Sequence, residues 1–244
     1  METDGEKKTR RSRRVRGSGG SDAERDKRIG GLPPAWGSDK EEANKIQREG
    51  EFAEVTKWNH SYVWEKNGFM IRLAQKEDAE PYYAQNYCPL DKEVARLTGC
   101  KEIYSRKEVI SFFLKAVEEK DRYFFLMIAP DGRIIGESVI NGIDWDLRCA
   151  NFRIAIFHPT DRGQGIGTWA TEVTRDFAFE ELKLHRLELE VYSFNPRAEK
   201  TYRKAGFQKE GVVRDAVLDG EKCADIILMA MKEEDWRQRN EAVE

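Results

Sequence analysis

Three closely spaced glycines mark the segment of this chain whose residue types are best suited to chemistry. Residues 162–167 read Arg-Gly-Gln-Gly-Ile-Gly and stand between an apolar, strand-like run and a long amphipathic run. Glycine lets the backbone turn tightly and come close to a ligand. The free N–H groups at the start of a helix, together with the helix dipole, favour an anion. The segment therefore predicts a loop that binds a phosphate or a pyrophosphate.

The spacing of these glycines leaves other interpretations open. A Walker loop ends in Gly-Lys-Ser/Thr, whereas Gly167 is followed by Thr168, which excludes that loop. A dinucleotide-binding fingerprint fits Gly163 and Gly165 but meets a threonine at its third position. Glu190 does end the next predicted strand, as that fingerprint requires. A plain glycine turn without a ligand is the remaining interpretation.

Histidines and cysteines are not spaced as metal ligands or as nucleophilic pairs. His158 and His185 lie 27 residues apart, which is not a metal-binding spacing. The cysteines form no Cys-x-x-Cys pair; they are Cys88, Cys100, Cys149 and Cys223. We therefore expect no metal site, no disulfide framework and no covalent acyl-enzyme. Four reduced thiols are typical of a cytoplasmic protein.

Hydrophobic periodicity around the glycine loop predicts an α/β domain that begins at Phe69. The predicted elements, in order, are strand 69–73, helices 75–87 and 105–120, strands 123–129, 133–143 and 148–157, helix 164–182, strand 185–192, helix 196–205, and strands 207–218 and 222–231. Because several strands precede a central strand–helix–strand unit, we expect a mixed sheet with helices on both faces.

Composition separates a polar N-terminal region from this domain. The chain has 244 residues, with 42 Lys and Arg against 45 Asp and Glu, and a net charge of −3. Residues 1–16 carry a net charge of +4, which leaves −7 for the rest. We predict a disordered tail and linker over 1–50, an extension that can pack on the domain over 51–66, the domain itself over 67–235, and a polar C-terminal tail over 236–244. The apolar runs are too short to span a membrane, and no secretory signal follows the N-terminal charges.

Two signatures together resemble the GNAT acetyltransferases over residues 69–235. The first is Arg162-x-x-Gly165-x-Gly167, which follows that family's Q/R-x-x-G-x-G/A pattern. The second spans 190–198 and 202–207, and the ending at 218–231 resembles the branch that contains spermidine and ribosomal-protein alanine acetyltransferases. The resemblance implies a mixed α/β, mostly antiparallel and twisted sheet with helices on both faces. It also implies that acetyl-CoA lies in a cleft between two diverging central strands.

The resemblance assigns the acetyl-CoA contacts residue by residue. The backbone at the end of the strand before the loop would pair with the pantetheine arm like an added strand, and an N–H group there would polarise the thioester carbonyl. The loop would bind the pyrophosphate. Asn195 would contact the cofactor arm, although asparagine before Pro196 is also an ordinary helix N-cap. The implied cofactor-binding residues are Ala155, Ile156, Phe157, Arg162, Gly163, Gln164, Gly165, Ile166, Gly167, Thr168, Asn195 and Tyr202.

The resemblance also implies an acid and a base. Tyr202 matches the general acid that protonates the departing CoA thiolate, while its helical spacing fits a core aromatic as well. An amine arrives protonated and needs a base. Glu190 matches a family base but shares its strand face with charged residues. Glu137 alternates with Ile135 and Val139 on an apolar face, where a carboxylate serves either as the base or in a buried structural ion pair. A water relay can replace either Glu190 or Glu137 as the base.

The resemblance predicts transfer of acetyl from acetyl-CoA to a primary amine by direct attack in a ternary complex, without a metal. A polyamine would suit the two carboxylates that flank Trp145 at 144–146. A peptide N-terminus, as in the ribosomal-protein branch, is the alternative acceptor. An interpretation of another class is a non-catalytic acyl-CoA-binding module whose basic run at 7–16 binds nucleic acid. No membrane partner is expected, and the resemblance is compatible with a homodimer.

Overall fold

An open sheet of eight strands forms the centre of the domain. The computed structural model describes residues 62–241. Its strands are β1 (Val63–Lys66), β2 (Phe69–Leu73), β3 (Arg122–Ile128), β4 (Ile134–Asp144), β5 (Cys149–Ile156), β6 (Arg186–Tyr192), β7 (Gln208–Asp219) and β8 (Lys222–Lys232). Its α-helices are α1 (Ala79–Asn86), α2 (Lys92–Thr98), α3 (Arg106–Glu118), α4 (Ile166–Glu180), α5 (Pro196–Lys204) and α6 (Glu233–Glu241).

The strands lie in the order β1-β2-β3-β4-β5-β6-β8-β7. Every neighbouring pair is antiparallel except β5 and β6, which are parallel and are connected by α4. The predicted mixed, mostly antiparallel sheet is therefore confirmed. A parallel pair needs a crossover connection, which is why this one pair brackets the glycine loop and its helix.

Each face of the sheet buries its own hydrophobic core, because side chains alternate along a strand. In β3, Phe125 and Met127 belong to the core that contains α4, whereas Phe124 and Leu126 belong to the core that contains α1, α2 and α3. We call these the α4-side core and the α1-side core. The continuous apolar run of β3 is thus explained by burial on both faces, which confirms the predicted helices on both sides.

Short polar signals fix where the helices begin. Ser105 caps α3 by accepting from the backbone N–H of Glu108, whose own side chain accepts from the N–H of Ser105. Asp91 caps α2 by accepting from the N–H of Val94 at 3.0 Å, and α2 ends at Gly99 with a φ of 70°. Helix α2 was not predicted, because seven residues are too few to give a clear periodic pattern.

The ends of the described region differ from the sequence prediction. We predicted a polar tail from residue 236, but α6 buries Trp236, whose indole Nε1 donates to Asp176 Oδ1 at 2.8 Å and whose ring stacks on Phe179. At the other end, Tyr62 and Trp64 pack on the α4-side core. The predictions for residues 1–61 and 242–244 lie outside the described residues. Between 62 and 241, no helix has the length and apolar character needed to cross a membrane.

Candidate functional site

The sheet opens between its two parallel strands. Strands β5 and β6 pair only from Cys149 and Arg186 to Asn151 and Glu188. Beyond that point β5 stays paired with β4, and β6 stays paired with β8 through Tyr192. Five further residues of β5 therefore border a cleft instead of a neighbouring strand. The glycine loop lies just past the open end of this cleft.

The backbone groups at the end of β5 point alternately toward β4 and toward the cleft. The N–H of Phe157 donates to the carbonyl of Ile135 at 2.9 Å, so it is engaged with the β4 side. Because peptide groups along a strand point alternately to its two sides, those of Ile156 face the cleft. Of the three residues expected to bind pantetheine through their backbone, Ala155 and Phe157 thus point toward β4, and Ile156 is the one with the predicted orientation.

Two glycines of the loop have left-handed backbone conformations, and the third lies in the first turn of α4. Gly163 and Gly165 both have a φ of 82°, and a methyl group added at either would meet no heavy atom within 4 Å. Gly165 is the N-cap of α4, so the N–H groups of Ile166, Gly167 and Thr168 open the helix. A methyl on Gly167 would come within 3.2 Å of Ile156. This glycine therefore serves close packing of the helix on β5.

The Arg162 side chain is bound to helix α2. Its guanidinium forms ion pairs with Glu93 and, at 3.7 Å, with Asp91, and its Nη2 donates to the carbonyl of Ile156 at 3.4 Å. Arg162 was predicted to contact the cofactor, and here its side chain holds α2 against the loop. Gln164 donates to the carbonyl of Thr160 at 3.5 Å.

Helix α2 also reaches the opposite wall of the cleft. The guanidinium of Arg96 pairs with Asp219 at the end of β7 through two contacts of 2.5 and 2.6 Å. The same group lies 4.8 Å from the ring centre of Phe194, which follows β6. The helix therefore connects the two walls, and the sequence prediction missed it entirely.

Asn195 caps helix α5, and Tyr202 lies within that helix. Asn195 Oδ1 accepts from the N–H of Ala198 at 3.2 Å, which is the N-cap role considered from the sequence. Tyr202 is 6% exposed, and its ring packs edge-on against Phe152 and Phe207 in the α4-side core. Burial raises the pKa of the Tyr202 phenol well above its usual value. The phenol is therefore protonated at neutral pH, as a proton donor must be.

Glu137 lies at the centre of a buried polar network. Tyr82 donates to Glu137 Oε2 at 2.5 Å, and Arg153 donates to Glu137 Oε1 at 2.8 Å. The hydroxyls of Tyr82 and Tyr87 are 3.1 Å apart. Burial, and then the charge of Glu137, raise the pKa of Tyr82 far above its usual value, so this phenol stays a donor to the carboxylate.

The surroundings of Glu137 differ in one respect from the sequence prediction. Glu137 lies on the face of β4 that packs in the α1-side core with Val139, whereas Ile135 packs in the α4-side core. The pairing of β3 with β4 shifts register between Met127 and Ile128, and such a bulge interrupts simple alternation. Ile135 and Glu137 therefore do not share a face.

A cavity of about 420 Å³, counting its open mouth, lies beside this network, and we call it the Glu137 cavity. It is lined by Tyr87, Leu90, Val94, Thr98, Cys100, Glu137, Arg153, Ile154, Ala155 and Phe157. Sequence reasoning missed Tyr82, Tyr87 and Arg153. A signal did exist for Arg153, because a single charge inside the apolar strand β5 needs a buried partner.

The structure does not bring the three predicted catalytic residues into one cavity. Glu137 lines the cavity on the α1 side of the sheet, and Tyr202 packs on the α4 side. Glu190 is exposed on β6, opposite Leu228 of β8. The acidic turn 144–146 connects β4 to β5 at the end of β5 that lies away from the glycine loop. Among residues 62–241, no three His, Cys, Asp or Glu side chains are placed to hold a metal ion.

Known proteins resemble this chain in sequence and in fold. A probable N-acetyltransferase of Bacillus subtilis, YjcK, is 34% identical over 113 residues, which are 46% of this chain and 62% of that protein. A spermidine N(1)-acetyltransferase of Vibrio cholerae is 26% identical over 135 residues, which are 55% of this chain and 77% of that protein. A crystal structure of the Vibrio cholerae spermidine N-acetyltransferase with CoA and spermine has a TM-score of 0.63 at 20% identity, covering 70% of this chain and 99% of that one.

The match to a protein family decides what kind of protein this is. The model of the acetyltransferase (GNAT) domain matches residues 68–208, which are more than half of the chain. The match includes β5, the glycine loop, α4, β6 and α5, and so both walls of the cleft. The resemblance seen in the two sequence signatures is confirmed. The chain belongs to the GNAT acetyltransferase family, the N-acetyltransferases that use acetyl-CoA.

Proposed function

We propose that this protein transfers the acetyl group of acetyl-CoA to a primary amine by direct attack within a ternary complex. The observation that carries the proposal is the cleft between β5 and β6, which has the glycine loop at its open end and the Glu137 cavity on the α1 side of its β5 wall. Positioning two substrates together can supply about 7–11 kcal/mol of the barrier.

The residues present fit acetyl-CoA. Gly163 and Gly165 leave open space at their Cβ positions, and the N–H groups at the start of α4 are donors for a pyrophosphate. The N–H of Ile156 faces the cleft and would donate to the pantetheine arm, while its carbonyl accepts from Arg162. Acetyl-CoA, when bound, supplies the activated thioester. We propose that the remaining residues predicted for the acetyl-CoA site are neighbours that shape it. They are Ala155, Phe157, Arg162, Gln164, Thr168 and Asn195.

Two side chains of this chain would move protons. Glu137 would accept the proton of the amine at a carboxylate oxygen, because it lines the cavity on the α1 side. Tyr202 would donate its phenolic proton to the departing sulfur, and its burial keeps that proton in place at neutral pH. Glu190, which is exposed on β6, is the second candidate base.

Two separate observations support different acceptors. The name of the Vibrio cholerae relative supports a polyamine, as predicted from the sequence. The Glu137 cavity supports an amine with fewer positive charges than a polyamine, because the carboxylate of Glu137 is already paired with the guanidinium of Arg153. A cytoplasmic location, a homodimer and a nucleic-acid contact through residues 7–16 stay predictions, and residues 7–16 lie outside the described region.

Release of free thiol from acetyl-CoA by the full-length protein tests the proposal. The amine panel would contain spermidine, spermine, an amino sugar, simple alkylamines and peptides that begin with Ala or Ser, with a no-amine control. We expect amine-dependent release. Acetyl-CoA binding without release for any amine would refute the proposal and favour the non-catalytic module.

Variants then test the two proton-transfer roles. We expect Tyr202→Phe and Glu137→Gln each to lower kcat by about 10²–10⁴-fold while acetyl-CoA still binds. Tyr123→Phe, another buried tyrosine of the α4-side core, is the matched control and should keep its turnover. A Tyr202→Phe enzyme with unchanged kcat would remove Tyr202 from the mechanism.

A further inference from the structure

The charged groups that line the Glu137 cavity cancel each other. Among the ten lining residues, Glu137 and Arg153 are the charged ones, and they are joined at 2.8 Å. Their side chains are 6% and 20% exposed, so water screens the pair weakly. The rest of the lining is apolar or carries a hydroxyl or thiol group. The cavity therefore offers no net negative charge to an entering cation.

Several acids close in sequence to the lining residues of α2 are also paired with bases. Asp91 and Glu93, beside the lining residues Leu90 and Val94, both pair with Arg162. Farther along the same segment, Glu102 lies 3.9 Å from Lys92 and Glu108 lies 3.6 Å from Lys101. A second or third ammonium group on a long acceptor would therefore meet carboxylates whose charge is already compensated.

We propose that Arg153 determines acceptor specificity, because by neutralising Glu137 inside the cavity it selects a primary amine with one positive charge and an apolar body over a polyamine. This inference rests on the proposed function. A monoamine can transfer the proton that carries its single positive charge to the carboxylate of Glu137. Its apolar body can then be buried against Leu90, Val94 and Ile154. A polyamine must bring further charges into an apolar space without counter-charges, and each such charge has a large desolvation penalty.

Two amines of equal length provide a sharp test. Pentylamine and 1,5-diaminopentane share a chain of five carbons and differ by one terminal ammonium. With full-length protein and saturating acetyl-CoA, we expect kcat/KM for pentylamine to exceed that for the diamine by about tenfold or more. In Arg153→Gln, the uncompensated carboxylate should shift this ratio toward the diamine by about tenfold or more. Arg153→Lys retains the charge and should keep the wild-type preference.

Arg72→Gln is the matched control. Arg72 forms a similar partly buried pair with Asp78 at 2.7 Å but lies outside the cavity, so its loss should leave the ratio unchanged. A wild-type enzyme that prefers the diamine would overturn the inference, and so would an Arg153→Gln enzyme with the wild-type ratio. If Arg153→Gln does not fold, the wild-type and Arg153→Lys ratios decide.

The two proposals fail in distinguishable ways. Acetylation of spermidine without acetylation of pentylamine would overturn the role of Arg153 and leave the acetyltransferase function standing. Absence of transfer to every amine in the panel would overturn both.

Discussion

Gly136 is the place where one added methyl group should do the most damage to the cleft. It lies on β4 opposite Ile156, and a Cβ there would come within 2.5 Å of the carbonyl oxygen of Ala155 and 2.6 Å of the Met127 methyl. The methionine can move, but the Ala155 oxygen belongs to the backbone of the cleft wall. To restore an ordinary contact, β5 must retreat by about 1 Å in Gly136→Ala.

The magnitude of the effect follows from two opposing contributions. Overpacking of a strand interior lowers the free energy of unfolding by about 1–3 kcal/mol. Replacing glycine with alanine raises the free energy of unfolding by about 0.4–1 kcal/mol, because alanine has fewer conformations available in the unfolded chain. We therefore expect Gly136→Ala to be less stable than wild type by up to about 2.6 kcal/mol, and less stable than a glycine-to-alanine change without a clash by about 1–3 kcal/mol. Because the displaced strand is the one proposed to bind pantetheine, kcat/KM should fall by up to about 100-fold.

Gly211→Ala is the control that separates this effect from a general effect of glycine in a strand. A methyl on Gly211 in β7 would meet Leu228 at 3.6 Å, an ordinary contact. Urea unfolding followed by tryptophan fluorescence measures both variants, and Gly211→Ala should match or exceed wild-type stability. Equal free energies of unfolding for the two variants would show that the close approach of Gly136 to the Ala155 carbonyl does not limit stability. Wild-type acetyl-CoA binding by Gly136→Ala would show that this close approach does not control the cleft.

Three further predictions concern the loop, the buried network and the C-terminal helix. Gly165→Val should weaken acetyl-CoA binding by about tenfold or more, since its side chain would fill the open space proposed for the phosphates. Gly142→Val, at a φ of 61° near the end of β4 that lies away from the loop, carries the same backbone strain and should lose stability but keep the affinity in calorimetry. Tyr82→Phe removes the donor to Glu137 and should lower the free energy of urea unfolding by about 1.5–3 kcal/mol, and a loss under 0.5 kcal/mol would argue against this hydrogen bond. A hydrogen bond from Arg237 lowers the pKa of Glu233 below its usual 4.5. The ionised Glu233 therefore adds about 1 kcal/mol or less to the free energy of unfolding above pH 4.5, and this addition is lost as the pH falls and the carboxylate is protonated. Wild type and Glu233→Gln should accordingly differ in unfolding free energy at pH 7 and converge near pH 3, and a gap that persists in acid would contradict the assignment.

Most of the fold could be predicted because its elements are long and strongly periodic. Strand β2 has the predicted bounds, and α4 and β6 begin within two residues of their predicted starts. The glycine loop could be recognised because a tight turn before a helix requires glycine at Gly163 and Gly165, and the sequence records that requirement directly. These signals are local, which is why sequence alone carries them.

The rest depends on contacts between distant residues. Nothing near Arg153 in sequence indicates that Glu137 of β4 pairs with it, or that Tyr82 of α1 donates to the same carboxylate. Helix α2 is held by Arg162 and Asp219, which lie far along the chain, and not by periodicity of its own. The bulge that moves Ile135 to the other face arises from pairing with β3 and has no signature in the sequence.

The strand order also decides when the cleft can exist during synthesis. Strand β8 inserts between β6 and β7 although it follows both in the chain, and it is the sheet neighbour of the β6 wall. A nascent chain that has reached only Asp219 already contains the glycine loop and β5, but its β6 wall lacks a partner on the outer side. Because a domain generally folds as a unit, the sheet cannot be completed until β8 arrives, and β6 and β7 must stay apart until then. A ribosome stalled near this point would carry a chain with an exposed strand edge, and such edges promote aggregation.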